Sequence, residues 1–288
     1  MNGKIRHVYY VVDFFAIKYK EDFLFQQKQI KKGVIIMVRF NYKDVAKEQG
    51  WCFNSINPTV EDESGYFYYK EVANVITPKT IMLDIGCGSG EKAIRYYSNA
   101  EKVIMVDNES EMLKRANKNI EIMLDKKEKL KFETRLCDGN KKLKFPDEYF
   151  DLVVSRHCGA NMTEVFRVLK KGGVFISEDI DYKDCLELKK YFGRGQNWDE
   201  IQNEKPLKKE VFEKCIDLEF TNISLKSFYF IEYYPDKEQL KYLLTRTPIL
   251  EYFGRYDDEK ILDKYVNDFK TNKGIKLVRR LYAFYLIK

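Results

Sequence analysis

The sequence lacks the features that would assign it to a membrane, a secretory pathway or a structural zinc site. No apolar run reaches the roughly 18 to 20 residues needed to span a bilayer, and "VYYVVDFFAI" is interrupted by Asp13. No small-residue cleavage site follows that segment, so a signal peptide is not indicated. The six cysteines include no CxxC pair. These cysteines predict reduced thiols in a cytoplasmic protein without a metal site. The short apolar runs predict that the protein has no membrane partner.

The sequence also lacks a concentrated basic surface of the kind that nucleic-acid-binding proteins carry. The formal net charge of the 288 residues is +6, of which residues 1–36 contribute +4, from seven basic and three acidic side chains. The extension formed by residues 1–36 is either an appended helix or an upstream start that the functional protein does not need, and we favour the second. Residues 37–288 are then predicted to form one domain, which carries only the remaining +2.

Short apolar runs alternate with helix-length segments in the middle of the chain. The runs are "TIMLDIG", "KVIMVDN", "LKFETRLCDG", "YFDLVVSRH" and "VFISEDI". Apolar runs of this length between helical patterns indicate buried parallel strands with crossover helices. The sequence therefore predicts a doubly wound α/β sheet, whose ligand binds at the carboxyl ends of the strands.

The stretch "LDIGCGSG", residues 83–90, ends the first of these strands and limits the choice of ligand. Gly86 and Gly88 begin a dinucleotide-binding pattern, but Glu91 occupies the place of its third glycine. The absence of a following GK[ST] excludes a Walker phosphate loop. Asp84 and Glu91 would repel a pyrophosphate. The loop therefore favours a nucleoside whose tail is uncharged or cationic, approached closely by glycine backbone.

The loop resembles the first motif of the class I methyltransferases that use S-adenosyl-L-methionine (SAM), a nucleoside whose methionine part carries a sulfonium and an ammonium. Further motifs of this Rossmann-like family, and of type 11 methyltransferases in particular, are resembled by "VIMVDNESEML", "RLCDGN", "FPDEYFDLVVSRH" and "EVFRVLKKGGVFISE". The resemblance is tight over residues 79–180 and loose over residues 37–288. It implies a seven-stranded, mostly parallel sheet with a helical N-terminal cap and a helical insertion before the last strand.

The resemblance also implies which residues contact the cofactor. Asp107, 21 residues after Gly86, would hold both ribose hydroxyls, and Asp138 would lie near the adenine amino group. Helix capping is the alternative role for Asp107, and a turn is the alternative for Asp138. The predicted SAM-binding residues are Asp84, Gly86, Cys87, Gly88, Gly90, Asp107, Asn108, Asp138 and Gly139.

Methyl transfer from a sulfonium is an in-line displacement, so much of the catalysis is placement of the acceptor with water excluded. A general base is needed only where the acceptor keeps its proton near neutral pH. His157, one of two histidines, is the predicted base, and a polar residue that closes a strand is the alternative. The segment 236–270 is predicted to form a helical lid over the acceptor, and "YFGRGQNWDE" is a candidate substrate loop.

The nature of the acceptor is the least determined part of the prediction. Family members that methylate DNA or RNA amino groups carry an NPPY-like tetrapeptide where this chain has "SRHC". We therefore predict a SAM-dependent methyltransferase that acts on a small molecule, with an RNA methyltransferase as the alternative. A non-catalytic SAM-binding protein is a further alternative, against which the intact glycine loop argues. The acceptor atom and the oligomeric state are not indicated by the sequence.

Overall fold

A computed structural model describes residues 56–204, 207–251 and 253–288. The predicted extension, residues 1–36, lies outside the described residues, as does the beginning of the predicted domain. The described chain folds around a single mixed sheet with helices on both faces.

The sheet of the described residues has nine strands. They are β1 (Thr59–Glu61), β2 (Ile81–Ile85), β3 (Lys102–Asp107), β4 (Phe132–Leu136), β5 (Phe150–Arg156), β6 (Leu169–Ile180), β7 (Thr221–Tyr234), β8 (Lys270–Thr271) and β9 (Gly274–Ile287). Their order across the sheet is β1-β7-β9-β6-β5-β2-β3-β4, and β8 pairs with β9. The strands from β6 to β4 pair in parallel, whereas β9, β7, β1 and β8 pair antiparallel.

The helices alternate with the strands in the manner of a doubly wound fold. They are α1 (Tyr68–Val75), α2 (Glu91–Tyr96), α3 (Ser110–Met123), α4 (Lys126–Lys129), α5 (Met162–Val168), α6 (Leu186–Phe192), α7 (Trp198–Asn203), α8 (Leu207–Asp217), α9 (Lys237–Arg246) and α10 (Asp258–Phe269), with a 3₁₀ turn at Pro248–Leu250. Helix α1 is a cap before the first parallel strand, and α9 and α10 form the insertion between β7 and β9. The predicted fold class is confirmed in these features.

Burial on both faces explains why the parallel strands read as continuous apolar runs. In β2, Met82 faces the cluster formed with α1, α2 and α3, while Leu83 and Ile85 face the cluster formed with α5 and α8. All three side chains are fully buried. Because both faces exclude water, the strand shows no alternation of polar and apolar residues.

The strand count is larger than the seven strands predicted, because two short strands extend the antiparallel side. β1 pairs with the outer edge of β7, with Thr59 opposite Tyr233. β8 forms a tight hairpin with the start of β9, with Thr271 opposite Gly274. Strands of three and two residues are too short to produce a recognisable periodic pattern.

The antiparallel strands β7 and β9 continue beyond the carboxyl end of the parallel strands. Ile180, the last residue of β6, pairs with Leu281, which pairs in turn with Phe228. The first half of β9 and the residues of β7 after Phe228 therefore extend beyond the end of β6. The insertion joins the two strands there and packs on α6 through Leu188, Leu244 and Leu262. The predicted lid therefore lies on the side of the sheet where a doubly wound fold binds its ligand.

A buried ion cluster holds the base of this two-stranded extension. Arg279 of β9 is 4% exposed, and its guanidinium donates to Asp184 Oδ1 at 3.0 Å and to Glu232 Oε2 at 3.2 Å. Burial alone would raise the pKa of Asp184, but the charge of Arg279 outweighs it and the pKa is lowered. The cluster ties β9 to β7 and to the segment that precedes α6.

Arg279→Met should lower the free energy of unfolding by about 3 to 5 kcal/mol, because it leaves two buried carboxylates without their cation. Arg280→Met is the matched control, since the neighbouring side chain pairs with Glu187 at a half-exposed site. The control should cost about 1 kcal/mol or less. Urea unfolding of the two variants measures the difference, and equal losses would contradict the role assigned to Arg279.

Candidate cofactor-binding site

The loop between β2 and α2 needs glycine at every second position. Gly86, Gly88 and Gly90 have φ angles of +74°, +57° and +72°. This left-handed region is strained for residues with a Cβ, and glycine adopts it freely. The alternation seen in the sequence is thus a backbone requirement of the loop.

The glycine loop is held between β3 and the segment that follows β5. The amides of Gly86 and Cys87 both donate to the carbonyl oxygen of Val106, at 2.8 and 3.0 Å. A Cβ placed on Gly86 would lie 2.5 Å from the Cβ of Cys158, which is too close for any side chain. Cys87 itself is a small, buried residue of the loop, and methyl transfer requires no nucleophilic thiol.

Asp107 ends β3 and connects the glycine loop to the next helix. Its Oδ2 accepts from the Gly88 amide at 3.0 Å, and its Oδ1 accepts from the Glu109 amide at 2.8 Å. Burial raises the pKa of this carboxyl group. The N-cap of α3 is Glu109, so the alternative reading of Asp107 as the helix cap does not apply. Each carboxylate oxygen can accept one more hydrogen bond in addition to these.

Asp84 and Arg156 line one pocket beside the glycine loop. The pocket lies at the carboxyl ends of β2 and β5, and its other walls include Tyr68, Tyr69 and Tyr97. Asp84 is 8% exposed, and the Arg156 guanidinium lies 5.5 Å from the centre of the Tyr69 ring. A carboxylate and a guanidinium in one small pocket match the ammonium and carboxylate of an α-amino acid. The sequence did not indicate that Arg156 belongs to this pocket.

The segment after β4 packs against the end of β2. A Cβ on Gly139 would lie 2.3 Å from Ile85 Cγ2, so only glycine fits there. Asp138 Oδ1 accepts from the Asn140 amide at 3.0 Å, which is the turn that the sequence left open as an alternative. Asn108 is exposed between β3 and α3. The cofactor contacts expected of Asp138, Gly139 and Asn108 stay predictions.

His157 is enclosed at the end of β5. Its side chain is 4% exposed and its Nε2 lies 3.2 Å from Glu178 Oε1, while its amide donates to the Glu178 carbonyl oxygen. Burial, followed by the charge of Arg156, lowers the pKa of His157 to about 4. It is not among the residues that line the pocket. Its assignment as the base stays a prediction, while these contacts favour a role in positioning Glu178.

Glu178 of β6 is a residue of this edge that sequence reasoning missed. It is 4% exposed, and its Oε1 accepts from Arg156 Nε at 2.7 Å. Burial alone would raise its pKa, but the Arg156 charge lowers it. In the sequence, the only signal was a pair of adjacent acids, Glu178 and Asp179, late in the run "VFISEDI".

Neither a cluster of metal-ligating side chains nor a membrane-spanning helix is present in the described residues. Over residues 56–204, 207–251 and 253–288, no group of three His, Cys, Asp or Glu side chains is placed to hold a metal ion. Within the same ranges, none of the helices combines the length and apolarity that a membrane crossing requires.

Comparison with known families gives one match that covers most of the site. The sequence profile of a family described as "Methyltransferase domain" matches residues 76–247, which is more than half of the 288 residues. The matched segment contains the glycine loop, Asp107, Arg156 and Glu178.

The chain is also similar to the demethylmenaquinone methyltransferases of two Leptospira interrogans strains, of serovars copenhageni and Lai. Each is 28% identical over 172 residues, which amount to 55% of this chain and 65% of the relative. The chain thus matches slightly less than two thirds of the length of these curated relatives.

Solved structures that share the fold include two bacterial proteins. The YcgJ protein of Bacillus subtilis is 17% identical with a TM-score of 0.54, over 77% of this chain and 97% of its own. A candidate methyltransferase from Bacillus halodurans C-125 is 17% identical with a TM-score of 0.53, over 76% and 96%. At these identities the likeness concerns the architecture alone.

The pKa of His157 predicts a pH dependence of stability. Since the folded-state pKa of about 4 lies below the usual 6.5, protonation favours the unfolded chain. Burial of the neutral imidazole contributes up to about 3 kcal/mol to the free energy of unfolding. This contribution is fully present above pH 6.5 and is lost as the pH falls towards 4. His157→Gln should therefore show a smaller loss of unfolding free energy between pH 7 and pH 4 than the unaltered protein. Parallel pH curves for the two proteins would contradict the burial of the neutral form.

Proposed function

The chain belongs to the methyltransferase-domain family of class I SAM-dependent enzymes, and from this membership we propose that it transfers the methyl group of SAM to a small-molecule acceptor. The resemblance inferred from "LDIGCGSG" is thereby confirmed, and SAM is the cofactor of the family. The observation that carries the proposal is the pocket in which Asp84 and Arg156 stand beside the glycine loop.

The charged residues of the pocket are complementary to the charges on the methionine part of SAM. Asp84 would hold the ammonium group, and Arg156 would hold the carboxylate group, each through charge-assisted hydrogen bonds. The three glycines let the backbone approach the nucleoside without a Cβ in the way. A pyrophosphate would gain from Arg156 but would be repelled by Asp84, so the pair favours a zwitterion over a dinucleotide.

The carboxyl group of Asp107 fits the ribose. Two oxygens on one carboxylate can accept from two neighbouring hydroxyls, and the contacts of Asp107 to the Gly88 and Glu109 amides would fix its orientation. We assign Asp138 to the adenine amino group on the resemblance alone. SAM supplies a methyl carbon bonded to a sulfonium, while these residues bind and orient it at the end of β2.

The insertion on the acceptor side supports a small molecule over a polymer. Arg194, in the candidate substrate loop, donates to Asp258 of α10 at 2.7 Å, and Asp258 is 1% exposed. The Gln196 amide of the same loop donates to the Ile249 carbonyl oxygen at 3.1 Å. The loop and the insertion are thus joined by hydrogen bonds, which favours an acceptor small enough to be enclosed beside them. The Leptospira relatives, named for demethylmenaquinone, are in line with a small acceptor.

Asp107→Asn should weaken SAM binding by roughly 10-fold to 100-fold, because a charge-assisted hydrogen bond to a hydroxyl is worth about 1.5 to 3 kcal/mol. Isothermal titration measures the affinity, and Asp217→Asn, at an exposed position of α8, is the control that should bind normally. An Asp107→Asn protein that binds SAM with unchanged affinity would remove the ribose assignment.

The acceptor class can be tested without knowing the acceptor. Incubation with methyl-labelled SAM and cell extract, followed by separation into small molecules, RNA and protein, should place the label in the small-molecule fraction. RNA binding held by phosphate contacts would weaken steeply with salt, and we expect little at near-physiological salt. Label in the RNA fraction with none among small molecules would replace the proposal with an RNA methyltransferase.

A further inference from the structure

The face of the sheet that carries helix α1 continues past the cofactor pocket onto the antiparallel strands. Arg156 pairs with Glu178 in the register of β5 and β6, and Glu178 pairs in turn with Ala283 of β9. Residues that lie directly opposite each other in neighbouring strands point to the same face. Since Arg156 lines the pocket together with residues of α1, Glu178 and Ala283 lie on the α1 side.

The next row of side chains on this face is apolar. Ile180 of β6 pairs with Leu281 of β9, which pairs with Phe228 of β7. Because side chains alternate along a strand, Ile180 points to the same face as Glu178, two positions earlier in β6. Ile180, Leu281 and Phe228 are therefore an apolar floor on the α1 side, directly beside the Arg156–Glu178 pair.

The opposite face of the same strands is packed against other helices. Asp179 pairs with Tyr282, which belongs to the cluster formed with α5 and α8. On β7, the Ser227 hydroxyl accepts from Lys208 of α8 at 3.0 Å. A molecule that lies beside the cofactor pocket can therefore contact the apolar floor, but not the side chains of this second face.

The Tyr66 hydroxyl is an unsatisfied polar group at this floor. Tyr66 lies just before α1, and its ring packs on Phe228 with 4.4 Å between the ring centres. The hydroxyl is shielded from solvent and has no hydrogen-bond partner within the described part of the chain. Buried polar atoms in native proteins are nearly always hydrogen-bonded, and each exception needs a reason. A ligand atom that accepts a hydrogen bond from the phenol would be such a reason.

The charges that border the cofactor pocket also act on this hydroxyl. Burial, and then the charges of Glu178 and Glu71, raise the pKa of Tyr66, whereas the charge of Arg156 lowers it. The phenol therefore stays protonated at neutral pH and can donate a hydrogen bond. Because Arg156 is part of the pocket wall, a molecule that accepts from Tyr66 would lie beside the bound SAM.

The segment that carries Tyr66 is held by local contacts. Residues 62–65 are exposed, and Tyr66 itself is only half-buried. The hydrogen bonds of the segment run from the Ser64 hydroxyl to Asp62 and from the Tyr66 amide to the Ser64 hydroxyl. A segment with few long-range contacts can open without disturbing the sheet, so a small molecule can reach the hydroxyl.

We propose that the row formed by Ile180, Leu281 and Phe228 is the floor of the acceptor site, and that Tyr66 positions the methyl acceptor by donating a hydrogen bond to it. The inference rests on the proposed methyltransferase function and names its substrate class. The acceptor is a small molecule with an aromatic or apolar body, which contacts the floor, and with an oxygen or nitrogen atom that accepts from the phenol.

Tyr66→Phe tests the hydrogen bond, because it keeps the ring on Phe228 and removes only the hydroxyl. Label transfer from methyl-labelled SAM is measured over a dilution series of the small-molecule fraction of a cell extract. The variant should need about tenfold more of this fraction for its half-maximal rate, the value of one hydrogen bond. Its maximal rate should change by less than about threefold, as expected of a contact made equally in the ground and transition states.

Tyr229→Phe is the matched control. Tyr229 follows Phe228 in β7, points to the opposite face and is 63% exposed, so this variant should match the unaltered protein at every dilution. The labelled product itself tests the substrate class, because a molecule with an apolar body should pass from water into an organic solvent such as ethyl acetate. Label that stays in the aqueous phase would overturn the assigned class.

Two further measurements separate the acceptor role of Tyr66 from other roles. Tyr66→Phe should melt at the same or a higher temperature than the unaltered protein, because the hydroxyl that it removes has no hydrogen bond to lose. A clear drop in melting temperature would show that the hydroxyl serves the fold and would overturn the proposal. Isothermal titration should give a SAM affinity within about twofold of normal, and a larger loss would assign the hydroxyl to the cofactor instead.

The failure of this inference can be told apart from the failure of the proposed function. An unchanged dependence on the small-molecule fraction in Tyr66→Phe would overturn the role of Tyr66 and leave the methyltransferase function intact. Absence of label transfer to small molecules by the unaltered protein would overturn both.

Discussion

The pairing of Arg156 with Glu178 across two neighbouring parallel strands organises the carboxyl edge of the sheet. Arg156 Nε and Glu178 Oε1 are 2.7 Å apart, and the pair is largely shielded from water. A buried guanidinium is tolerable only beside a carboxylate. Glu178 therefore makes it possible for Arg156 to stand in the pocket wall, where it complements Asp84.

The same pair sets the roles of its neighbours. His157 lies against Glu178, and burial together with the Arg156 charge lowers its pKa, so its contacts favour a role in positioning Glu178, while its predicted role as the base stays a prediction. Asp179 is left outside the pair, because the strand alternation directs it away from Arg156.

Local backbone constraints explain which parts of the site were visible in the sequence. The three glycines are required because the φ angles at those positions are left-handed. Such a constraint acts on a single residue, so it can be recognised in the sequence from the identity of that residue. The apolar runs reflect strands buried on both faces. Asp107 ends β3, and its carboxylate accepts from one amide in the preceding β2–α2 loop and from one directly after β3. These contacts span a single strand–helix–strand step, which is why the spacing of the motifs indicated Asp107.

Long-range pairing explains what the sequence did not reveal. Arg156 and Glu178 are 22 positions apart, and Arg279 is 47 positions from Glu232 and 95 from Asp184. Periodicity and motif spacing carry no information about which charged residues meet at such separations. His157 has a φ of +51° and contacts Glu178 of β6, and the local sequence pattern indicated neither.

The order of strands in space, which differs from their order in the chain, divides the carboxyl edge of the sheet into two halves. The winding changes direction between β2 and β5, where the chain has gone from β2 through β3 to β4 on one side and returns through β5 to β6 on the other. Ligands of doubly wound sheets bind at such a switch point. The glycine loop and Asp107 belong to the first side, while Asp179 and the insertion belong to the second. The Arg156 side chain stands at the boundary, so the group that would hold the methionine tail is also the one that aligns the two halves.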